Sequence, residues 1–233
     1  DIPALVRIRG DRGEPVEGGP LGAGPKAALL KAMEICSGYG FETKNWDGYV
    51  GTADMNNGPS CLDILAHLDV VPVSDGWTVT APFTPKLVGN KLYGRGTADD
   101  KGPAVAALYA MRAVKELGIE LKGNWRLILG TDEECGSGDI GHYYDQVPEA
   151  PYTFSPDANF PCINIEKGSI KGWYHASYPE MTALPRILSA KGGTKINVVP
   201  NKAEAVVEGL SQAEIRAVAD EVTKDTGITF SLS

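Results

Sequence analysis

The chain has 233 residues, 42% of them apolar, and a formal net charge of -8. That length allows one large domain or two small ones, and the apolar share supplies a packed core. The acidic balance excludes a nucleic-acid backbone or an anionic membrane as partner, because both call for clustered Lys and Arg; it favours a protein that concentrates cations.

No apolar run approaches the roughly 20 residues that a membrane span needs. Cys36, Cys61, Cys135 and Cys162 are far apart and show no C-x-x-C spacing, which points to a reduced, cytoplasmic setting. The chain begins at Asp1 without a methionine, and it stops at Ser233 in the strand-like run Gly227-Ile228-Thr229-Phe230-Ser231-Leu232. Both ends are therefore expected to be cut, and a removed leader is compatible with the start.

In chain order, Pro25 suits a first helical turn and Leu29, Ala32, Met33 and Cys36 recur at helical spacing. This predicts a helix over residues 25–37, stopped at Gly38 or Gly40. The short apolar run 61–66 reads as a strand with His67 at its C-terminal end. Residues 77–85 carry Pro82 and Pro85 and read as a loop; residues 86–93, centred on Gly89-Asn90, read as a small hairpin. A helix over 103–117 follows, with Pro103 in its first turn, Ala104, Ala107, Leu108 and Met111 on one face, and Gly118 as the stop. Residues 125–130 (W-R-L-I-L-G) read as a buried strand, and 152–155 as another short one.

Helix and strand thus alternate, which predicts an α/β fold with a mainly parallel sheet flanked by helices and its chemistry at the C-terminal strand ends. The composition changes after about residue 168. Residues 194–200 and 203–209 read as strand-like, and 211–224 as a helix with a Ser211/Glu214 capping box and an apolar face of Ile215, Val218, Ala219 and Val222. The expected division is a first domain over 1–168 and the beginning of an α+β domain over 169–233.

The chemistry-bearing residues cluster at turns. His67-Leu68-Asp69 follows the first strand, Asp99-Asp100 precedes the second helix, Glu133-Glu134 follows the next strand, and Asp157 follows the last. Taken singly, each has a bland explanation: a lone histidine is often a polar loop residue, and acid pairs often cap helices. Asp100 could cap the 103–117 helix, and Glu133-Glu134 a short helix near residue 139. Together, near successive strand ends of one chain, they match the needs of a two-metal hydrolytic site. Such a site takes imidazole and carboxylate ligands, a bridging carboxylate and a bridging water, and one free carboxylate to move a proton. The glycine-rich stretch 94–102 lacks G-K-[ST], and its acids repel phosphate. Cys135 has no basic neighbour in sequence to activate it. Trp77 and Phe83 read as loop packing.

The segments H-L-D-V-V-P at 67–72, G-R-G-T-A-D-D-K-G at 94–102, T-D-E-E at 131–134 and S-P-D at 155–157 resemble the four signature segments of a known family. It is the family of di-metal amidohydrolases and peptidases that includes aminoacylase, carnosinase and succinyl-diaminopimelate desuccinylase. The D-D-K-G-P, T-D-E-E-C-G-S-G and F-S-P-D-A-N-F-P forms look most like the bacterial Xaa-His dipeptidase branch.

The resemblance implies a zinc-exopeptidase-like catalytic domain with the start of an inserted lid domain. It implies two divalent ions, zinc first, with manganese or cobalt as alternatives. His67 and Asp157 would bind one ion, Asp99 would bridge, and Glu134 would bind the second. Glu133 would be the general base, Asp69 would fix the His67 tautomer, and Asn197 would contact substrate. The Asp99-Asp100 peptide would be cis. The implied activity is hydrolysis of the amide bond of dipeptides or similar small peptides, by a metal-bridged water with Glu133 as base. The alternatives are an N-acyl-amino-acid deacylase or desuccinylase, and a non-catalytic metal-binding fragment.

One departure stands out. The family places a further histidine ligand of the second ion near its C-terminus, and neither His142 nor His175 matches it. Family chains run to about twice this length, so the chain resembles an N-terminal half. The missing C-terminal half is the expected partner, completing the site and covering apolar surface.

Overall fold

A computed structural model describes residues 1–159, 162–165, 167–168, 170, 172–177, 182–193 and 200–232. They divide into two units, Asp1–Glu166 and Lys167–Ser233.

The first unit is built on a five-stranded sheet in the order β1-β2-β6-β3-β7. Its strands are β1 (Glu42–Trp46), β2 (Val50–Asp54), β3 (Ser60–His67), β6 (Asn124–Gly130) and β7 (Tyr152–Phe154). The strands β6, β3 and β7 are parallel, and β1-β2-β6 are antiparallel. The expected hairpin forms apart from the sheet as β4 (Lys86–Val88) and β5 (Lys91–Tyr93).

Both faces of the sheet are covered, as parallel strands require. Side chains alternate along each strand, so neighbours in sequence serve opposite faces. Leu127 and Leu129 of β6, with Ile64 and Ala66 of β3, pack against α2 (Ala23–Gly38) and α3 (Lys101–Glu116). The helices contribute Ala28, Leu29, Ala32 and Cys36, and Ala104, Leu108 and Met111. Ile128 and Val50 face the other way and meet Tyr143 of α4 (Gly138–Tyr144). α1 (Ile2–Val6) adds Leu5 to the larger core.

The periodicity places α2, α3, β3, β6 and β7 within a few residues of their observed bounds. It overlooks the β1–β2 hairpin and α1. Asp100 does occupy the N-cap position of α3, but its side chain makes no capping bond, because the carboxylate is engaged elsewhere.

In the second unit, β8 (Arg186–Gly192) pairs antiparallel with β9 (Ala203–Glu208). α5 (Gln212–Thr226) carries the expected capping box: Glu214 N–H donates to Ser211 Oγ at 3.3 Å, and Ser211 N–H to Glu214 Oε2 at 2.8 Å. Gly227 ends α5 in the left-handed conformation, and residues 228–232 form no strand. No helix among the described residues is long and apolar enough to cross a membrane.

Candidate metal centre

β3 ends on His67, β6 ends on Gly130, and the register sets these two residues opposite one another. β7 pairs Phe154 with Ile64 of β3. Three parallel strands therefore finish at one edge, and the loops that leave them, carrying His67–Asp69, Glu133–Glu134 and Asp157, converge there. Asp99 and Asp100 reach the same edge at the start of α3, joined by a cis peptide bond.

The convergence centres on one imidazole. The His67 ring is 4% exposed, and its Nε2 lies 3.0 Å from Asp99 Oδ1, 3.3 Å from Asp157 Oδ2 and 3.9 Å from Glu133 Oε2. Ligand atoms of His67, Asp99 and Asp157 all fall within 4.8 Å of one another. Asp99 is 58% exposed against 4% for His67, so the group is walled on the protein side and open on the other. A cavity of about 300 Å³ adjoins it, lined in part by His67, Glu133, Ser137, Ser155 and Asp157.

The opposite ring nitrogen is held from within. His67 Nδ1 lies 3.1 Å from the Asp69 carbonyl oxygen and 3.3 Å from Asp69 Oδ1. Both are acceptors only, so Nδ1 carries the proton and donates. The Asp69 carboxylate in turn accepts the Glu133 N–H at 3.1 Å on Oδ1 and the Glu134 N–H at 3.0 Å on Oδ2. One buried carboxylate thus sets the imidazole and the start of the acid loop together.

The electrostatics are those of a crowded anionic site. Burial opposes the charged form of His67, but hydrogen bonds to Asp69 and Asp99 and the charges of Asp69 and Asp100 outweigh it and push its pKa up to about 11. The hydrogen bond from His67 holds Asp99 below the usual carboxylate range. Burial, reinforced by neighbouring carboxylates, raises Glu133, Glu134 and Asp157. The one imidazolium leaves much of this negative charge uncompensated, and a divalent cation would offset it. One imidazole nitrogen with two carboxylate oxygens is a donor set that suits zinc or manganese, so the residues fit an ion.

Other candidates are placed differently. Glu134 lies outside the three-residue cluster, half-buried, with its carboxyl in the field of Asp99. Asn197 falls outside the described residues. His142, on α4, lies 2.9 Å from Asp47 Oδ2 and stacks on Tyr49 with ring centroids 4.4 Å apart; it is not in the cluster. His175 is exposed in the second unit.

Several roles at the site are not evident from the motifs. Asp100 is fully buried; its Oδ2 accepts the His67 backbone N–H at 3.0 Å, while Oδ1 has no hydrogen-bond partner among the described residues. Burial pushes its pKa up to about 7. Asp139 accepts the backbone N–H groups of Thr131 and Asp132, which anchors the turn ahead of Glu133. A Cβ on Gly130 would stand 2.7 Å from Asp139 Oδ2, so a glycine at the end of β6 lets that carboxylate in. The signal for Asp139 is its place just inside the short helix that follows the acid pair.

Residues 64–229 match the peptidase family M20/M25/M40. A Bacillus subtilis (strain 168) protein named "Putative dipeptidase YtjP" is 38% identical over 211 residues, which is 90% of this chain and 45% of that protein. The chain spans about half the length of the curated relatives it matches. The crystal structure of human carnosine dipeptidase 1 is similar at 27% identity and a TM-score of 0.51, over 62% of this chain and 34% of that one. An M20 family metallo-carboxypeptidase from Sulfolobus solfataricus has the same fold, with 24% identity and a TM-score of 0.56 over 66% of this chain and 36% of that one.

Proposed function

Because the chain belongs to peptidase family M20/M25/M40, we propose that it is part of a metal-dependent hydrolase that cleaves the amide bond of dipeptides or similar small peptides. The observation that carries this reading is the approach of Asp99, Asp157 and Glu133 to a single nitrogen of His67. In this reading residues 1–168 are the N-terminal part of the catalytic domain, and 169–233 the beginning of a lid from which Asn197 would contact substrate. The setting is cytoplasmic, where the four unpaired thiols stay reduced.

His67, Asp99 and Asp157 would hold the first of two divalent ions, zinc foremost, and Asp99 and Glu134 would reach the second. When bound, the ions supply Lewis acidity and bring the pKa of a water close to neutral. Asp69 keeps the proton of His67 on Nδ1, so that Nε2 presents a lone pair to the site. Glu133 has an exposed carboxylate near the cluster and no described side-chain hydrogen bond. Its Oε2 takes the proton of the attacking water and returns it to the leaving nitrogen. Burial raises its carboxyl, which moves it in the direction a base working near neutral pH requires. The rest of the longer protein would complete the second ion's ligands and lie against edge strand β7, where Tyr152 and Phe154 are exposed.

The test uses the full-length protein. Chelation should abolish dipeptide hydrolysis, and zinc or manganese should restore it. Glu133→Ala should retain metal and lose roughly 10²–10⁴-fold in turnover; undiminished turnover in that variant rejects the assignment. A panel of dipeptides against N-acyl amino acids separates this substrate class from the deacylase and desuccinylase alternatives.

A further inference from the structure

We infer that the N-terminal arm, residues 5–12, is a brace that holds three of the four segments of the metal centre, those of His67, Asp99 and Glu133, in mutual register. The inference rests on the metal-centre reading above. The arm precedes the matched family region, residues 64–229, and carries none of the candidate ligands. Within eight residues it nevertheless touches those three segments.

The first contact is Lys101, directly after Asp99-Asp100. Its side chain is fully buried, and Nζ donates to the carbonyl oxygens of Ile8 at 2.7 Å and Leu5 at 3.2 Å. An ammonium group is held out of water only where acceptors meet it, and here the arm's backbone provides them. The second contact is Gly10, which is buried. A Cβ there would stand 2.6 Å from the carbonyl oxygen of Leu68 and 3.2 Å from Asp69 Cα, so the arm lies directly on the backbone that leaves His67. The third is Arg12, whose Nη1 donates to Asp132 Oδ1 at 2.7 Å. Asp132 precedes Glu133, and its other oxygen accepts the Gly138 N–H at 3.3 Å. One short segment therefore meets the backbone behind Asp99, His67 and Glu133 at once. Arg12, Gly10 and Lys101 are positioning residues: they act through the ligands and touch no reacting group.

Arg12 is about half exposed. Its partner Asp132 is buried, so loss of the guanidinium also costs stability; Arg12→Lys, which keeps the cation, serves as the control that separates positioning from folding. Zinc affinity of the purified full chain is measured by competition with a chromophoric chelator, beside the melting midpoint of the metal-free protein. Gly10→Ala should weaken zinc binding about tenfold and Arg12→Met about threefold, at or below the range seen for residues that support metal ligands. Arg12→Lys should stay within about twofold of the parent and keep its melting midpoint. Parental zinc affinity in both Gly10→Ala and Arg12→Met overturns the brace. If Gly10→Ala fails to fold, Arg12→Met against Arg12→Lys decides alone. A parent chain that binds no zinc overturns the metal centre, and the brace with it; a parent that binds zinc beside indifferent variants overturns the brace only.

Discussion

One oxygen of the Asp69 carboxylate accepts the backbone N–H of Glu133 at 3.1 Å, across 64 positions of sequence. The same oxygen lies 3.3 Å from His67 Nδ1. The proposed ligand His67 and the proposed base Glu133 are therefore set by one buried acceptor. Asp69→Asn puts an NH₂ either where Glu133 N–H and His67 Nδ1 both point or where Glu134 N–H points, so at least one bond becomes a donor-donor conflict. In the full-length enzyme the expected cost is about 10–100-fold in kcat/KM and in zinc affinity. Parental values for both would remove Asp69 from the proposed mechanism.

The metal-free chain should lose stability as pH rises from 6.5 to 8. His67 titrates near 11 in the folded chain against an ordinary 6.5, so below pH 6.5 both states hold the proton and the stabilisation is complete. Above that the unfolded state sheds it first, and folding weakens by at most about 1.4 kcal/mol per pH unit. Asp100, raised to about 7, adds a fall of the same sign up to that pH. Above pH 8 Lys101, lowered by burial to about 8 from 10.5, acts in the opposite sense, which limits the clear window to 6.5–8. Urea unfolding with EDTA present measures the slope. His67→Gln should flatten it, and an equal slope in that variant excludes His67 as its origin. Zinc uptake near pH 7.5 should release about one proton, read by calorimetry in buffers of different ionisation enthalpy.

The parts of the fold legible in the sequence are those governed by local pattern. α3 shows its apolar face in Ala104, Leu108 and Met111, and β6 its buried run in Leu127, Ile128 and Leu129; both are observed in the core. The β1–β2 hairpin is opaque because its strands lack apolar alternation: β1 is mostly exposed, and β2 buries the consecutive residues Val50, Gly51, Thr52 and Ala53, of which only Val50 is a large apolar side chain. Its turn carries a signal all the same. Asp47-Gly48 takes positive φ at both residues, the dipeptide and geometry favoured in tight hairpins. The metal-centre residues are visible as motifs because each follows a strand or opens a helix. The arm is not visible. Lys101 stands within a motif, and only the tertiary structure brings Leu5 and Ile8 to it.

Asp139→Ala should destabilise the first unit by about 2–4 kcal/mol. The buried carboxylate accepts the N–H groups of Thr131 and Asp132, and that of Ile140 at 2.8 Å. Alanine leaves the first two without an acceptor in a site where Thr131 and Asp132 are themselves buried. Asp139→Asn keeps one acceptor oxygen and should cost less. Denaturant unfolding at constant pH orders the three proteins, and an alanine variant as stable as the parent excludes the anchoring role.

Asp157 and Glu134 should separate when zinc binding to this chain is titrated. Asp157 shares the three-residue cluster with His67 and Asp99, whereas Glu134 lies outside it. In the proposed site the first ion would depend on Asp157 as a direct ligand, and Asp157→Asn would remove one charged donor from a set of three. The loss should exceed the roughly 10–100-fold cost of removing a supporting residue. Glu134→Gln keeps the Glu134 N–H on Asp69, since that bond is made by the backbone, so the orientation of His67 survives. It also removes a carboxylate that crowds Asp99, since the two carboxyls feel each other's charge. Its affinity for the first zinc should fall by no more than about threefold. The reverse ranking, with Glu134→Gln the more damaging, would move the tighter ion from the His67–Asp157 side to the Glu134 side.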